Sequence, residues 1–120
     1  MKLGRGSIVL LELDPVVGHE RRCVRPSIIV SDPEIVSHQR FPLVCVVPIT
    51  GTRGAGLFYP SLSPGPSGLA KDSFALIDHL RSIDKRRIRR VFGELARHEM
   101  AAIDEGLTVF LGLGVPPPIR

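Results

Sequence analysis

A chain of 120 residues that is 43% hydrophobic and 23% charged has the length of one domain with one modest core, and it is too apolar for a disordered segment. Its longest apolar runs, residues 43–49 and 8–11, fall far short of the ~20 residues a membrane span needs, and Glu12 with Asp14 interrupts any signal-peptide core, so a cytoplasmic protein with no membrane contact is expected. Sixteen Lys plus Arg against twelve Asp plus Glu leave a formal charge of +4, which favours a polyanionic partner without naming one.

Residues 7–13 are short, aliphatic and β-branched and end at Asp14-Pro15, which predicts a largely buried first strand. A charged loop over residues 15–26 follows, with Gly18 free to take a positive φ and Pro26 holding Arg25 extended. Residues 27–31 predict a second strand stopped by Asp32-Pro33, and a polar loop runs on to Arg40. Residues 43–49 are the most apolar strand, where Pro48 implies a bulge or sheet edge and leaves Thr50 at the strand's end. Residues 51–68 hold five glycines and three prolines and read as loop, with one short strand at 57–59. Two further strands are expected at 73–80 and 88–95, joined through residues 82–84 and a basic turn.

The last element is helical. Met100, Ile103, Leu107, Phe110 and Leu111 recur at helical spacing, although Gly106 costs about 1 kcal/mol relative to Ala and Ala96 offers no capping oxygen. Gly112 and Gly114 end the helix, and Pro116 to Pro118 predict a stiff tail. Several short strands with one helix indicate a small barrel of the α+β class. Cys23 and Cys45 lie in unlike settings outside any C-x-x-C, so no structural disulfide is expected. His19, His38, His79 and His98 lack metal-ligand spacing, so neither a metal nor another cofactor is assigned.

Five motifs occur in one order: G-R-G-S-I-V from Gly4, D-P-V-V-G-H-E from Asp14, V-R-P-S-I-I-V-S from Val24, V-P-I-T from Val47, and K-D-S-F-A-L-I-D-H-L-R-S-I-D from Lys71. Together they resemble the MazF/PemK (Kid) family of toxins from bacterial toxin–antitoxin modules, over residues 3–113. The resemblance implies one toxin domain over residues 1–113 with a Pro-rich tail over 114–120. It also implies an SH3-like (CcdB/MazF-like) antiparallel β-barrel with a C-terminal helix. The implied activity is metal-independent, sequence-preferring cleavage of single-stranded messenger RNA. Homodimers are implied, with the RNA groove at or near the dimer interface and blocked by the C-terminal segment of a cognate antitoxin.

Cutting RNA without a metal needs a group to take the 2′-hydroxyl proton, a group to protonate the departing 5′-oxygen, and cations for the crowded phosphorane. The family's arginine before proline and its threonine or serine after the apolar strand fall on Arg25 and Thr50. Guanidinium carries no acceptor and stays charged, so Arg25 suits a bidentate phosphate clamp better than a base. Thr50 can donate to the same phosphate, and Glu20 or Asp78 suits the proton. Glu20 matches the family's G-S-E with His19 in place of serine, and Asp78 matches a carboxylate of the Kid branch with His79 in place of glutamine. His19, Arg21, Arg22, Arg53, Arg81, Arg87 and Arg89 are candidate RNA contacts. The parity of a strand would put Arg87 and Arg89 on one side and Arg86, Ile88 and Arg90 on the other. The rival reading is a CcdB-type toxin of the same fold that binds DNA gyrase and cuts nothing. A catalytically silent binding module is the third.

Overall fold

The computed structural model describes residues 3–12 and 24–114. Their strands are β1 (Ser7–Glu12), β2 (Val24–Ile29), β3 (Leu43–Thr50), β4 (Ser61–Leu62), β5 (Ser73–Ala75), β6 (Arg81–Asp84) and β7 (Ile88–Glu94). A one-turn helix α1 (Pro33–Ser37) follows β2, and α2 (Arg97–Leu111) closes the described chain. All pairings are antiparallel, in the order β4-β5-β3-β2-β1-β7 with β6 also on β3, and the sheet curls into a half-barrel.

β1 and β3 read as unbroken apolar runs because both faces of the sheet are covered. Ile8, Ile28, Val47, Ile49 and Ala75 pack with Ile103 and Leu107 of α2. Val9, Leu11, Ile29, Val44, Val46 and Ile83 form the other cluster, capped by Val36 of α1. Each aliphatic side chain fully buried this way contributes about 1.5–3 kcal/mol, so the two clusters fix which strand lies beside which.

The second strand begins three residues earlier than expected, at Val24, which puts Arg25 on a strand rather than in a loop. Val24 to Ile28 pair along β1, whereas pairing with β3 starts at Ser27, so Pro26 sits where β2 has only one neighbour and its missing N–H is tolerated. The polar stretch after Asp32 contains α1, because the Asp32 carboxylate accepts from Glu34 N (2.9 Å) and Pro33 fits the first turn.

β3 changes neighbours along one of its sides: residues 43–46 pair with β6 and residues 49–50 with β5. Pro48 stands at the change rather than at a sheet edge, and its carbonyl accepts from Leu76 N (2.8 Å). The chain between β5 and β6 must step out of the sheet there. Hence the strand expected over 73–80 stops at Ala75 and gives way to a 3-10 turn, Ile77–His79, while the expected connector at 82–84 is strand β6. Residues 57–59 form a turn closed by Tyr59 N to Gly56 O (3.0 Å), and the short strand is β4 instead.

On α2, Ile103 and Leu107 are buried, but Phe110 and Leu111 are 43% and 47% exposed because the apolar cluster beneath ends at Leu107. Phe110 keeps an edge-on contact with Phe58, 5.5 Å between ring centres. The cap that Ala96 lacks is supplied by buried Glu99, whose carboxylate accepts from Ala96 N (3.2 Å) and Ser63 N (2.7 Å). Gly112 ends the helix in the left-handed conformation at φ 68°.

Candidate active site

The β2–β3 register sets Ile29 opposite Val46, Ile28 opposite Val47 and Ser27 opposite Pro48. That pairing begins at Ser27, so Arg25 lies two residues before the paired segment of β2 and Thr50 two residues past Pro48 on β3. Arg25 pairs with Leu11 of β1, and Thr50 pairs with Phe74 of β5. Arg25 is exposed and Thr50 half-buried, so their polar ends reach solvent while apolar neighbours hold the backbone. Thr50 Oγ1 accepts from Thr52 N (3.1 Å), which leaves its own O–H to donate outward.

Thr50 also lines a cavity of about 370 Å³ with Arg53, Tyr59, Phe74, Leu76 and His79. Asp78 stands beside this cavity in the 3-10 turn. Its Oδ2 accepts from the Tyr59 hydroxyl at 2.6 Å, and its Oδ1 lies 3.7 Å from His79 Nε2. That hydrogen bond, with partial desolvation and the carboxylate charge, pushes the Tyr59 phenol above its ordinary range. Tyr59 therefore remains a donor, and its ring holds Asp78 at the cavity's edge.

Arg25, Arg53 and Arg81 are exposed and carry no ion pair among the described residues. The basic run is used differently. Lys85 Nζ donates to the carbonyls of Ile35 and His38 (2.5 and 2.9 Å), and Arg86 pairs with Asp84. Arg87 donates to the Glu12 carbonyl (3.3 Å), and Arg89 pairs with the Glu12 carboxylate (2.7 Å). The expected parity of this run does not hold, because Lys85–Arg87 is a 3-10 turn and β7 bulges against β1 at Arg89 and Phe92.

Thus Thr50, Arg53 and Asp78 are brought together, Arg25 lies on β2 opposite Leu11 of β1, and Arg87 and Arg89 gather around Glu12. His19, Glu20, Arg21 and Arg22 lie outside the described residues. Sequence reasoning passed over Tyr59, whose signal was that it is the only tyrosine in the chain. It also passed over Lys71, whose side chain lies over Gly51 next to Thr50. Among the described residues no three His, Cys, Asp or Glu side chains are grouped so as to hold a metal ion, and no helix is long and apolar enough to cross a membrane.

A profile of the family described as PemK-like, MazF-like toxin of type II toxin–antitoxin system matches residues 4–111. The chain belongs to this family. Solved MazF structures share the fold as well. The MazE–MazF structure of Deinococcus radiodurans (form II) is 26% identical with a TM-score of 0.77, covering 93% of this chain and 97% of that one. The MazF structure of the same organism (form I) is 27% identical with a TM-score of 0.71, over 92% and 96%. A mycobacterial endoribonuclease in complex with its cognate antitoxin is 23% identical with a TM-score of 0.76, over 96% and 100%. In this MazF-like toxin the matched region spans every element that carries Arg25, Thr50, Arg53, Asp78 and Arg81.

Proposed function

We propose that the protein is an endoribonuclease that cuts single-stranded RNA, messenger RNA foremost, by attack of the 2′-hydroxyl on its own phosphate without a metal ion. The observation that supports this is that Thr50 lines one cavity with Arg53, Tyr59 and His79, while Arg25 lies on the neighbouring strand β2, two residues before its pairing with β3 begins. A phosphate there meets a two-pronged cation and a hydroxyl donor from adjacent strands, which is the arrangement that stabilises charge gathering on a phosphorane. Glu20 or Asp78 takes the 2′ proton. Arg53, Arg81, Arg21, Arg22 and His19 hold the flanking strand, while Arg87 and Arg89 reach phosphate only by leaving Glu12. Products carry a 2′,3′-cyclic phosphate and a 5′-hydroxyl.

The antitoxin-bound relative supports a cognate antitoxin as partner, and the proposal adds that the antitoxin's C-terminal segment occupies the RNA groove. The protein acts as a homodimer in the cytoplasm. The deciding experiment incubates purified protein with a defined RNA pool in EDTA and maps the cut ends. Cleavage should persist in EDTA and fail where the nucleotide 5′ of the cut is 2′-deoxy. Activity restored only by magnesium, or cutting of the deoxy linkage, would reject the mechanism. Intact RNA throughout would leave a toxin that acts by binding.

A further inference from the structure

On the ribonuclease reading above, we propose that His79 is the general acid that protonates the departing 5′-oxygen. Transesterification has two proton positions, and the candidate residues fill them unequally. Arg25, Arg53 and Arg81 carry donors and no acceptor, so they suit stabilising charge rather than relaying a proton. Thr50 donates a hydrogen bond but is far too weak an acid to give up its proton. Asp78 is an acceptor when ionised, already taking the Tyr59 hydroxyl on Oδ2. Among the described residues lining the cavity, His79 brings an imidazole, the side chain whose chemistry suits handing a proton to a leaving oxygen.

Its position suits the role. His79 lines the same cavity as Thr50 and Arg53, more than half of its side chain is exposed, and its backbone is held by His79 N donating to Leu76 O at 2.9 Å. Nε2 lies 3.7 Å from Asp78 Oδ1, so the carboxylate stands where it can orient the imidazole. Tyr59 holds the other carboxylate oxygen, which makes Asp78 a positioning residue for the imidazole. In the step itself the 2′-oxygen bonds to phosphorus as its proton passes to the base. The P–O5′ bond then breaks with its electron pair going to O5′, and O5′ takes the proton from the His79 ring nitrogen that does not face Asp78. The ring is left neutral and is recharged from water.

The test is single-turnover cleavage of an oligonucleotide with one scissile ribose at a mapped cut, in two forms. One has the natural 5′-oxygen leaving group and the other a bridging 5′-sulfur, which departs without protonation. His79→Gln should slow the oxygen form by about 10²–10⁴-fold and leave the sulfur form within about tenfold of the wild type. Tyr59→Phe, which frees Asp78 Oδ2, should show the same selectivity with a smaller loss. Equal slowing of both forms by His79→Gln, or an oxygen-form rate within about threefold of wild type, overturns the assignment of His79 alone. A wild-type protein that cuts neither form overturns the ribonuclease reading itself.

Discussion

Arg25 presents five donors on a planar fork, and Thr50 presents one hydroxyl whose acceptor side is taken by Thr52 N. On the proposed mechanism both groups meet a phosphate on which negative charge builds, so their removal should act on the chemical step more than on binding. Arg25→Ala and Thr50→Ala should each lower the single-turnover rate by at least about a hundredfold while RNA affinity falls by less than about tenfold. Arg25→Lys should recover little of the loss, since one ammonium cannot reproduce a two-pronged clamp. A variant that loses only affinity would make that residue a binder.

A second residue-scale expectation concerns acid. The Arg86 side chain and then its backbone N–H bond to Asp84 and hold the carboxylate down to about 2, from 3.8. A depressed carboxylate stabilises the fold above its unfolded value, and that contribution is lost as pH falls through its folded value. The window is therefore between about pH 4 and pH 2. In urea melts Asp84→Asn should flatten the fall in stability across that window, and added salt should shrink the difference because the pair is exposed. A mutant whose acid limb parallels the wild type would deny Asp84 this role.

Among elements, α2 packs beside the candidate site partly through a residue without a side chain. A Cβ at Gly106 would come 2.8 Å from the Leu57 carbonyl and 3.2 Å from Ile77 Cγ1, so the helix lies against the 56–59 turn and the 3-10 turn at once. Gly106→Ala gains about 1 kcal/mol of helix propensity but forces backbone apart, at a cost of about 1–3 kcal/mol. The net change should be destabilising and read as a lower urea midpoint, whereas a midpoint above wild type would mean the turn yields freely. From composition alone Gly106 registered only as a poor helix former, because the close approach that requires it is a tertiary fact.

The same division holds elsewhere. Apolar runs identified β1 and β3 with Thr50 at its end, whereas the sequence places Arg25 in a loop and Asp78 in a strand, and the structure has Arg25 on β2 and Asp78 in a 3-10 turn. What could not be read was where pairing stops, since that depends on which neighbour arrives: β3 gives up β6 for β5 at Pro48, and the chain at 77–79 turns out of the sheet. Nor does a basic run declare its partners. Glu12 lies more than seventy residues from Arg89 in sequence, so the pair forms only once β1 and β7 are adjacent.

At the scale of the whole molecule, a formal charge of +4 says less than where the unpaired cations stand. Arg53 and Arg81 are exposed and carry no ion pair among the described residues, whereas Arg87 and Arg89 contact Glu12. Affinity for an uncleavable 2′-deoxy-substituted strand should therefore lose roughly 0.7 of log-log salt slope per contact in the Arg53→Gln, Arg81→Gln double mutant. The Arg87→Gln, Arg89→Gln double mutant should lose less. Equal losses would show that RNA draws both arginines away from Glu12.

The change of neighbours along β3 also bears on how such a chain can vary. Residues 76–80 belong to no ladder, and the side chains of Asp78 and His79 point away from the cluster that buries Ile77, so exchanging either leaves every strand pair and both cores in place. A position of this kind can be sampled by mutation with little loss of folded protein, and its neighbours on β3 cannot. Reactivity and substrate choice are thereby open to drift in the segment where the scaffold is least committed.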